Sequence, residues 1–548
     1  MRSTMQDAPL TVARMLRYGS TVHADARVAT WAGTSARYRS YGEVGARCAR
    51  LAGALRSLGV TGDHRVGTFM WNNVEHLEAY LAVPAMGAVL HTINLRFSKH
   101  QLVYTINHAE DRVILVNETA LPRFAELLPE LPTVEHVVVV GGGRPAATRS
   151  AGRLTHDYEE LLAAQSEHFE WAEPDEHDAA SLCYTSGTTG EPKGVAYSHR
   201  SIFLHSIAVN TPAAHGMSPA DRLLPVVPMY HVNAWGTPYA AFLAGAGQVL
   251  PDRFLQPESL VAMIERERPT VAAAVSTTWS GLLEHLRSHP ADLSSLRQVL
   301  AGGAACPPAL MREFEERHGV RVVQGWGMTE TSPIAMVAHP PPAAVGEDAW
   351  PYRISQGRLL PSLEARLVGA DGRPVPHDGK SVGELEIRGP WIASGYYRPE
   401  ESDRDATNRF AGGWLRTGDI GALTPDGFLT LTDRAKDVIR SGDEWISSVE
   451  LESQLMTHPA VAEAAVIGVP DVRWHERPLA AVVFLEGRRA DLAELRDFLA
   501  GRVDWWQVPE RWSVIPQVPK TSVGKFDKKE LRRRYTDGTL EVTVLEQD

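Results

Sequence analysis

Short apolar blocks separated by amphipathic stretches organise the first two thirds of the chain. Arg112-Val-Ile-Leu-Val116, Val137-Val-Val-Val140 and Thr270-Val-Ala-Ala-Ala-Val275 read as buried strands, and Pro257 to Arg268 reads as an amphipathic helix. Strands without a polar face, alternating with helices, predict an α/β fold with a largely parallel sheet. After about residue 360 the pattern shortens to Ala365-Arg-Leu-Val368, Gly383-Glu-Leu-Glu-Ile-Arg388 and Gly427-Phe-Leu-Thr-Leu-Thr432, which predicts a smaller β-rich subdomain. A third pattern starts at Asp433: a helix from Ser448 to Thr457 with a serine start and an acidic first turn, then strands Val461 to Val469 and Ala480 to Leu485. The expectation is a large N-terminal lobe over 1–432, of α/β layers plus the β-rich subdomain, and a small α+β unit over 433–548. Residues 433–442 are charged and end in glycine, as a junction would.

Composition narrows the function classes. A length of 548 residues with 44% hydrophobic and 22% charged content is globular and too long for one ordinary core. The net charge of -12 disfavours nucleic acid, because neutralising phosphates needs a basic face. The basic run Lys525, Lys528, Lys529, Arg532, Arg533 and Arg534 is interleaved with Asp527 and Glu530, as on a solvated helix. Cys48, Cys183 and Cys306 are odd in number and far apart, which fits reduced thiols in a cytoplasmic protein and no zinc site. No signal peptide is spelled at the N-terminus, and the longest apolar stretch, 79–90, contains Pro84 and Gly87, so no membrane span is expected.

The densest chemistry is Tyr184-Thr-Ser-Gly-Thr-Thr-Gly-Glu-Pro-Lys-Gly-Val195. Gly187, Gly190 and Gly194 let backbone approach an anion, Thr185, Ser186, Thr188 and Thr189 offer hydroxyls, and Lys193 adds a compact positive charge. The spacing is not that of a Walker A loop, and the plain alternative is a polar surface connection. Lysine is scarce, 8 residues against 47 arginines, so the lysines at 193 and 525, each beside glycine, stand out; Lys380, in an ordinary turn, tempers that clue.

The 184–195 loop resembles the phosphate loop of the acyl-adenylate-forming superfamily, which includes acyl-CoA synthetases, adenylation domains and luciferases. Further blocks follow in that family's order: Gln324-Gly-Trp-Gly-Met-Thr-Glu-Thr331, Trp414-Leu-Arg-Thr-Gly-Asp-Ile420, Asp433 to Arg440 and Pro519-Lys-Thr-Ser-Val-Gly-Lys525. The resemblance implies ATP, Mg2+ and the co-substrate CoA. It assigns the nucleotide site to Thr185, Ser186, Gly187, Thr188, Thr189, Lys193, Gly303, Gln324, Gly325, Trp326, Gly327, Met328, Thr329, Asp419, Arg434, Lys436, Trp445 and Lys525. The metal falls to Thr185 and Glu330, and catalysis to Lys525, Glu330, Thr185 and His231. It implies a mobile C-terminal lid, pivoting at Lys436, that brings Lys525 to the reaction for adenylation and then exposes a pantetheine tunnel. Without the resemblance, Glu330 reads as a capping residue, Asp419 as a turn and Lys525 as part of the basic tail.

For the acid, Val227-Pro-Met-Tyr-His-Val-Asn-Ala-Trp235 lacks the aspartate with which amino-acid-activating relatives pair an ammonium group. Met229 to Trp235 is similar to the block of bacterial medium- and long-chain fatty-acyl-CoA synthetases in which a tryptophan gates the acyl tunnel, so His231, Val232, Trp235 and Gly327 are expected at the substrate. Short, branched or thioether acids are the alternative. Residues 236–247 are small and apolar, consistent with a channel wall or with tight helix packing. Trp326 stands where the family has a tyrosine over adenine, and Arg440 where it has lysine. Asp443 replaces a tunnel-lining glycine, which raises a carrier-protein pantetheine as the rival acceptor. The resemblance also admits a homodimer.

Overall fold

The computed structural model describes residues 1, 3–141, 154–185, 191–369, 371–399, 408–434, 439–441, 444–471, 474–520 and 526–545. It is a mixed α/β protein with a large, sheet-rich N-terminal domain and a smaller C-terminal domain.

Two sheets build the large domain. In one, seven described strands run Leu154–Asp157, His136–Val140, Asp111–Asn117, Arg65–Phe69, Val89–Thr92, Ala179–Tyr184, Gly194–Ser198; every pairing is parallel except the final hairpin. That hairpin carries the glycine-threonine loop. The other sheet has a parallel centre of Arg321–Gly327, Gln298–Gly302, Val271–Val275 and Arg222–Pro225. The helix Val74–Ala85 is buried along its whole length, touching Arg27–Trp31 of the second sheet and Arg65–Phe69, Val89–Thr92 and Ala179–Tyr184 of the first. It accounts for half of the apolar stretch at 79–90, with Pro84 in its last turn. Its carboxylates are matched: Arg47 and Tyr158 both reach Glu78 at 2.6 Å, as buried charge requires.

The strands after residue 360 make up the expected β-rich part of the large domain. Glu364–Val368, Gly383–Arg388, Leu415–Leu423 and Phe428–Arg434 pair in that order, and Gly357–Leu359 joins the last of them to Ile334–Val337. They therefore extend the second sheet to thirteen described strands. The joining strands are three and four residues long, too short to leave a period-two pattern.

In the C-terminal domain, Val461–Asp471 and His475–Phe484 form a long antiparallel pair flanked by Ile439–Ser441 and Arg511–Val514. The helix Ser448–Leu455 starts at Ser447, whose hydroxyl accepts from Glu450 N at 3.1 Å and donates to the Thr432 carbonyl, tying the helix to the strand Phe428–Arg434. All three cysteines are buried and unpaired, and no helix among the described residues is long and apolar enough to cross a membrane.

Candidate active site

The hairpin Ala179–Tyr184/Gly194–Ser198 is fixed at its root before the loop begins. Thr185 N donates to Lys193 O at 2.9 Å, and Lys193 N to Thr185 Oγ1 at 3.1 Å. Tyr184 donates its hydroxyl to His108 Nδ1 at 2.7 Å, and His108 Nε2 donates to the Arg398 carbonyl at 3.1 Å. Burial holds the Tyr184 hydroxyl far above its ordinary pKa, so it remains a donor. Tyr397 N donates to Gly194 O at 2.7 Å, and the buried Tyr197 hydroxyl donates to Thr329 O at 2.7 Å. The hairpin is thus bonded to both the 324–331 block and the 396–398 segment.

Glu330 lies where these meet. Only 3% exposed, it accepts from the Tyr396 hydroxyl at 2.6 Å through Oε1, and Arg409 Nη2 stands 3.8 Å from the same oxygen. Lys193 Nζ lies 5.2 Å over the Tyr396 ring. A buried carboxylate such as Glu330 and a threonine hydroxyl such as that of Thr185 are hard oxygen donors, the kind Mg2+ takes together with substrate phosphates. Gly327 must be glycine, since a Cβ there would meet the Pro333 carbonyl oxygen at 1.9 Å.

Asp419 comes from the other end of the second sheet. It is buried in Leu415–Leu423, opposite Arg434 in the ladder, and Oδ2 accepts from Trp326 Nε1 at 2.8 Å. The tryptophan N–H thereby orients this carboxylate. An oxygen accepting one bond still has a second lone pair. Gln324 is spent inward: it accepts from Cys306 N and donates to the carbonyls of Ser355 at 2.6 Å and Ile354 at 3.2 Å. Its side chain braces the strand.

The 229–235 block has a different construction. Val232, Asn233, Ala234 and Trp235 have φ of 47, 48, 47 and 59°, followed by Gly236 at 69°. Each such non-glycine residue costs about 1–2 kcal/mol, so the neighbourhood must impose the turn. Asn233 Nδ2 donates to Ser181 Oγ at 3.1 Å, and its Oδ1 accepts from Cys183 Sγ at 3.2 Å and Thr92 Oγ1 at 3.3 Å. Asn72 clamps the approach, donating to Pro225 O at 2.8 Å and Val227 O at 2.9 Å while accepting from Met229 N at 2.7 Å. The turn lays Trp235 across Gly302, where a Cβ would stand 3.1 Å from the indole and 3.3 Å from Gly325 O. Trp235 therefore stands against Gly302, beside the Gly325 carbonyl.

Behind the turn is a cavity of about 10 Å3 lined by Tyr197, His205, Asn233, Gly236, Tyr239 and Ser332, among others, room for one water. His205 accepts from Ile334 N at 3.1 Å, and burial lowers its pKa to about 3, so it is neutral. The rest of 236–247 is core packing: Phe242 stacks on Tyr41 at 4.2 Å and Tyr239 donates to Tyr80 O at 3.0 Å.

These contacts join Thr185, Lys193, Glu330, Trp326 and Asp419 across two sheets. Residues 17–397 match the AMP-binding enzyme family, and 450–525 the AMP-binding enzyme C-terminal domain. The chain belongs to this family. It is 42% identical, over 98% of its length and 99% of the relative's, to the 3-methylmercaptopropionyl-CoA ligase of Ruegeria pomeroyi. It is 43% identical, over 97% of both chains, to the long-chain-fatty-acid–CoA ligase of Thermus thermophilus. The crystal structure of the anthranilate CoA ligase AuaEII in complex with anthranoyl-AMP superposes with a TM-score of 0.87, at 27% identity, over 98% of this chain and 100% of that one.

Arg434 and Trp445 are described by their strands alone, with Trp445 opposite Arg440. Ser186, Gly187, Thr188, Thr189, Lys436, Asp443 and Lys525 lie outside the described residues. Sequence reasoning passed over Tyr396, Arg409, Asn72 and Asn233. Gly395-Tyr-Tyr-Arg-Pro399 has the look of an aromatic turn, a signal for Tyr396; Arg409 has none.

Proposed function

We propose that the protein is an AMP-forming acid:CoA ligase for an apolar carboxylic acid without an ammonium group. The observation that carries the reading is the contrast within one site: Lys193, Glu330, Arg409 and Asp419 on the nucleotide side, and the neutral 227–235 block on the other. The acid's carboxylate oxygen attacks the α-phosphorus of ATP and pyrophosphate leaves. The thiol of CoA then attacks the acyl carbon and AMP leaves. Glu330 and Thr185 hold Mg2+, which when bound offsets the triphosphate charge. Lys193 faces the phosphates, Asp419 takes the ribose hydroxyls, and Trp326 offers its indole to the adenine. The C-terminal domain, from residue 433, acts as the lid and carries Lys525 to the reacting phosphate. The buried, unpaired thiols support a reducing compartment.

A medium- or long-chain fatty acid is the leading substrate, entering past Trp235. A short thioether acid is the second reading, favoured by the 42% identity to the 3-methylmercaptopropionyl-CoA ligase. Product analysis with Mg-ATP, CoA and a panel containing short, thioether and long acids tests both. Acyl-CoA with AMP is expected. Acyl-AMP and pyrophosphate without thioester would move the acceptor to a carrier-protein pantetheine, and no pyrophosphate with any acid would refute the reading.

A further inference from the structure

Tyr396 stands between two charged groups that come from different sheets. Its hydroxyl donates to Glu330 Oε1 at 2.6 Å, and its ring lies 5.2 Å beneath Lys193 Nζ. The ring is itself held edge-on by Phe410 at 5.1 Å, and the next residue's N–H bonds Gly194, the neighbour of Lys193, at 2.7 Å. Arg409 is the weaker neighbour of the same carboxylate: it stands 3.8 Å from Oε1 while its Nη2 donates to Thr417 O at 3.1 Å.

We propose that Tyr396 is a positioning residue that couples the metal and phosphate halves of the nucleotide site, its hydroxyl orienting Glu330 for Mg2+ and its ring face carrying Lys193 for the phosphates. The inference rests on the ligase reading above. A short hydrogen bond to one carboxylate oxygen fixes the rotation of the carboxylate plane. The negative face of the ring attracts the ammonium without neutralising it. One side chain therefore sets two charges with separable parts, which a pair of variants can take apart.

The experiment measures calorimetric binding of α,β-methylene-ATP to the whole protein over a Mg2+ titration. In Tyr396→Phe the ring stays and the hydroxyl goes. Half-saturating Mg2+ is expected to rise roughly tenfold, the scale of one hydrogen bond to a charged group, with analogue affinity at saturating Mg2+ within about twofold of wild type. In Tyr396→Leu the ring goes as well, and affinity at saturating Mg2+ is expected to fall a further several-fold. Should the leucine variant melt early, the near-isosteric phenylalanine variant decides alone. An unchanged Mg2+ requirement in Tyr396→Phe overturns the proposal, as do identical profiles for two folded variants. A wild-type protein that binds no analogue with Mg2+ overturns the ligase reading and this inference with it.

Discussion

The proposed nucleotide side and the proposed acid side of the site are built on opposite principles. On the nucleotide side, charged groups from distant segments are aligned by short hydrogen bonds: Trp326 to Asp419 at 2.8 Å and Tyr396 to Glu330 at 2.6 Å. On the acid side, four successive non-glycine residues are held in the left-handed region around the buried amide of Asn233, and the Trp235 indole lies against Gly302. The first arrangement recognises particular atoms, so its residue types are dictated by chemistry. The second recognises volume, so many residue combinations serve, and substrate choice can change without disturbing nucleotide handling.

The comparison can be broken in several places. The largest effect is expected from Lys525→Ala, which should slow pyrophosphate release by roughly 100-fold or more while leaving the acid preference as it is; a shifted preference would merge the two sides. Asp419→Asn weakens a charge-assisted contact, so the KM for ATP should rise about tenfold at an unchanged KM for the acid. Trp235→Ala should do the reverse, moving the optimum toward longer acids with the KM for ATP within about twofold; an unchanged chain-length profile would remove the tryptophan from the gate.

A separate effect is on stability. Burial lowers the pKa of His76 to about 4 and of His205 to about 3. Both are depressed below the unfolded value near 6.5, so the unfolded chain binds protons that the fold refuses. This contribution is complete above pH 6.5 and is lost as pH falls toward 4, at about 1.4 kcal/mol per pH unit for each histidine. Thermal midpoints measured from pH 7 to 4.5 should decline over that window, and less steeply in a variant lacking either imidazole.

The same division explains what the sequence revealed. Strands such as His136–Val140 and Val271–Val275 were legible because burial on both faces leaves an unbroken apolar run. Thr185, Glu330 and Asp419 stood out as site residues only through the resemblance, because polar residues among glycines are also ordinary turn and cap residues. The left-handed turn was not legible: apart from Asn233 and Gly236, nothing in Val-Asn-Ala-Trp-Gly favours positive φ, and the partners that impose it, Ser181, Cys183 and Thr92, lie far away in sequence. Residues 237–244 showed the limit of composition, since a channel wall and a packed helix use the same small apolar residues; they form a largely buried helix in which Phe242 stacks on Tyr41. Gln324 belongs to a nucleotide motif yet spends its amide on backbone groups at 306, 354 and 355, which only coordinates reveal.

The central claim is that the acid is joined to AMP before it meets the thiol. Turnover of an acid labelled with 18O in its carboxylate, followed by mass spectrometry of the nucleotide, tests it directly. The account predicts one 18O in AMP and none in pyrophosphate, because the attacking carboxylate oxygen stays on the α-phosphorus when the thiol displaces it. Unlabelled AMP, or ADP with labelled inorganic phosphate, would contradict the account and mean that the acid is activated by a different bond.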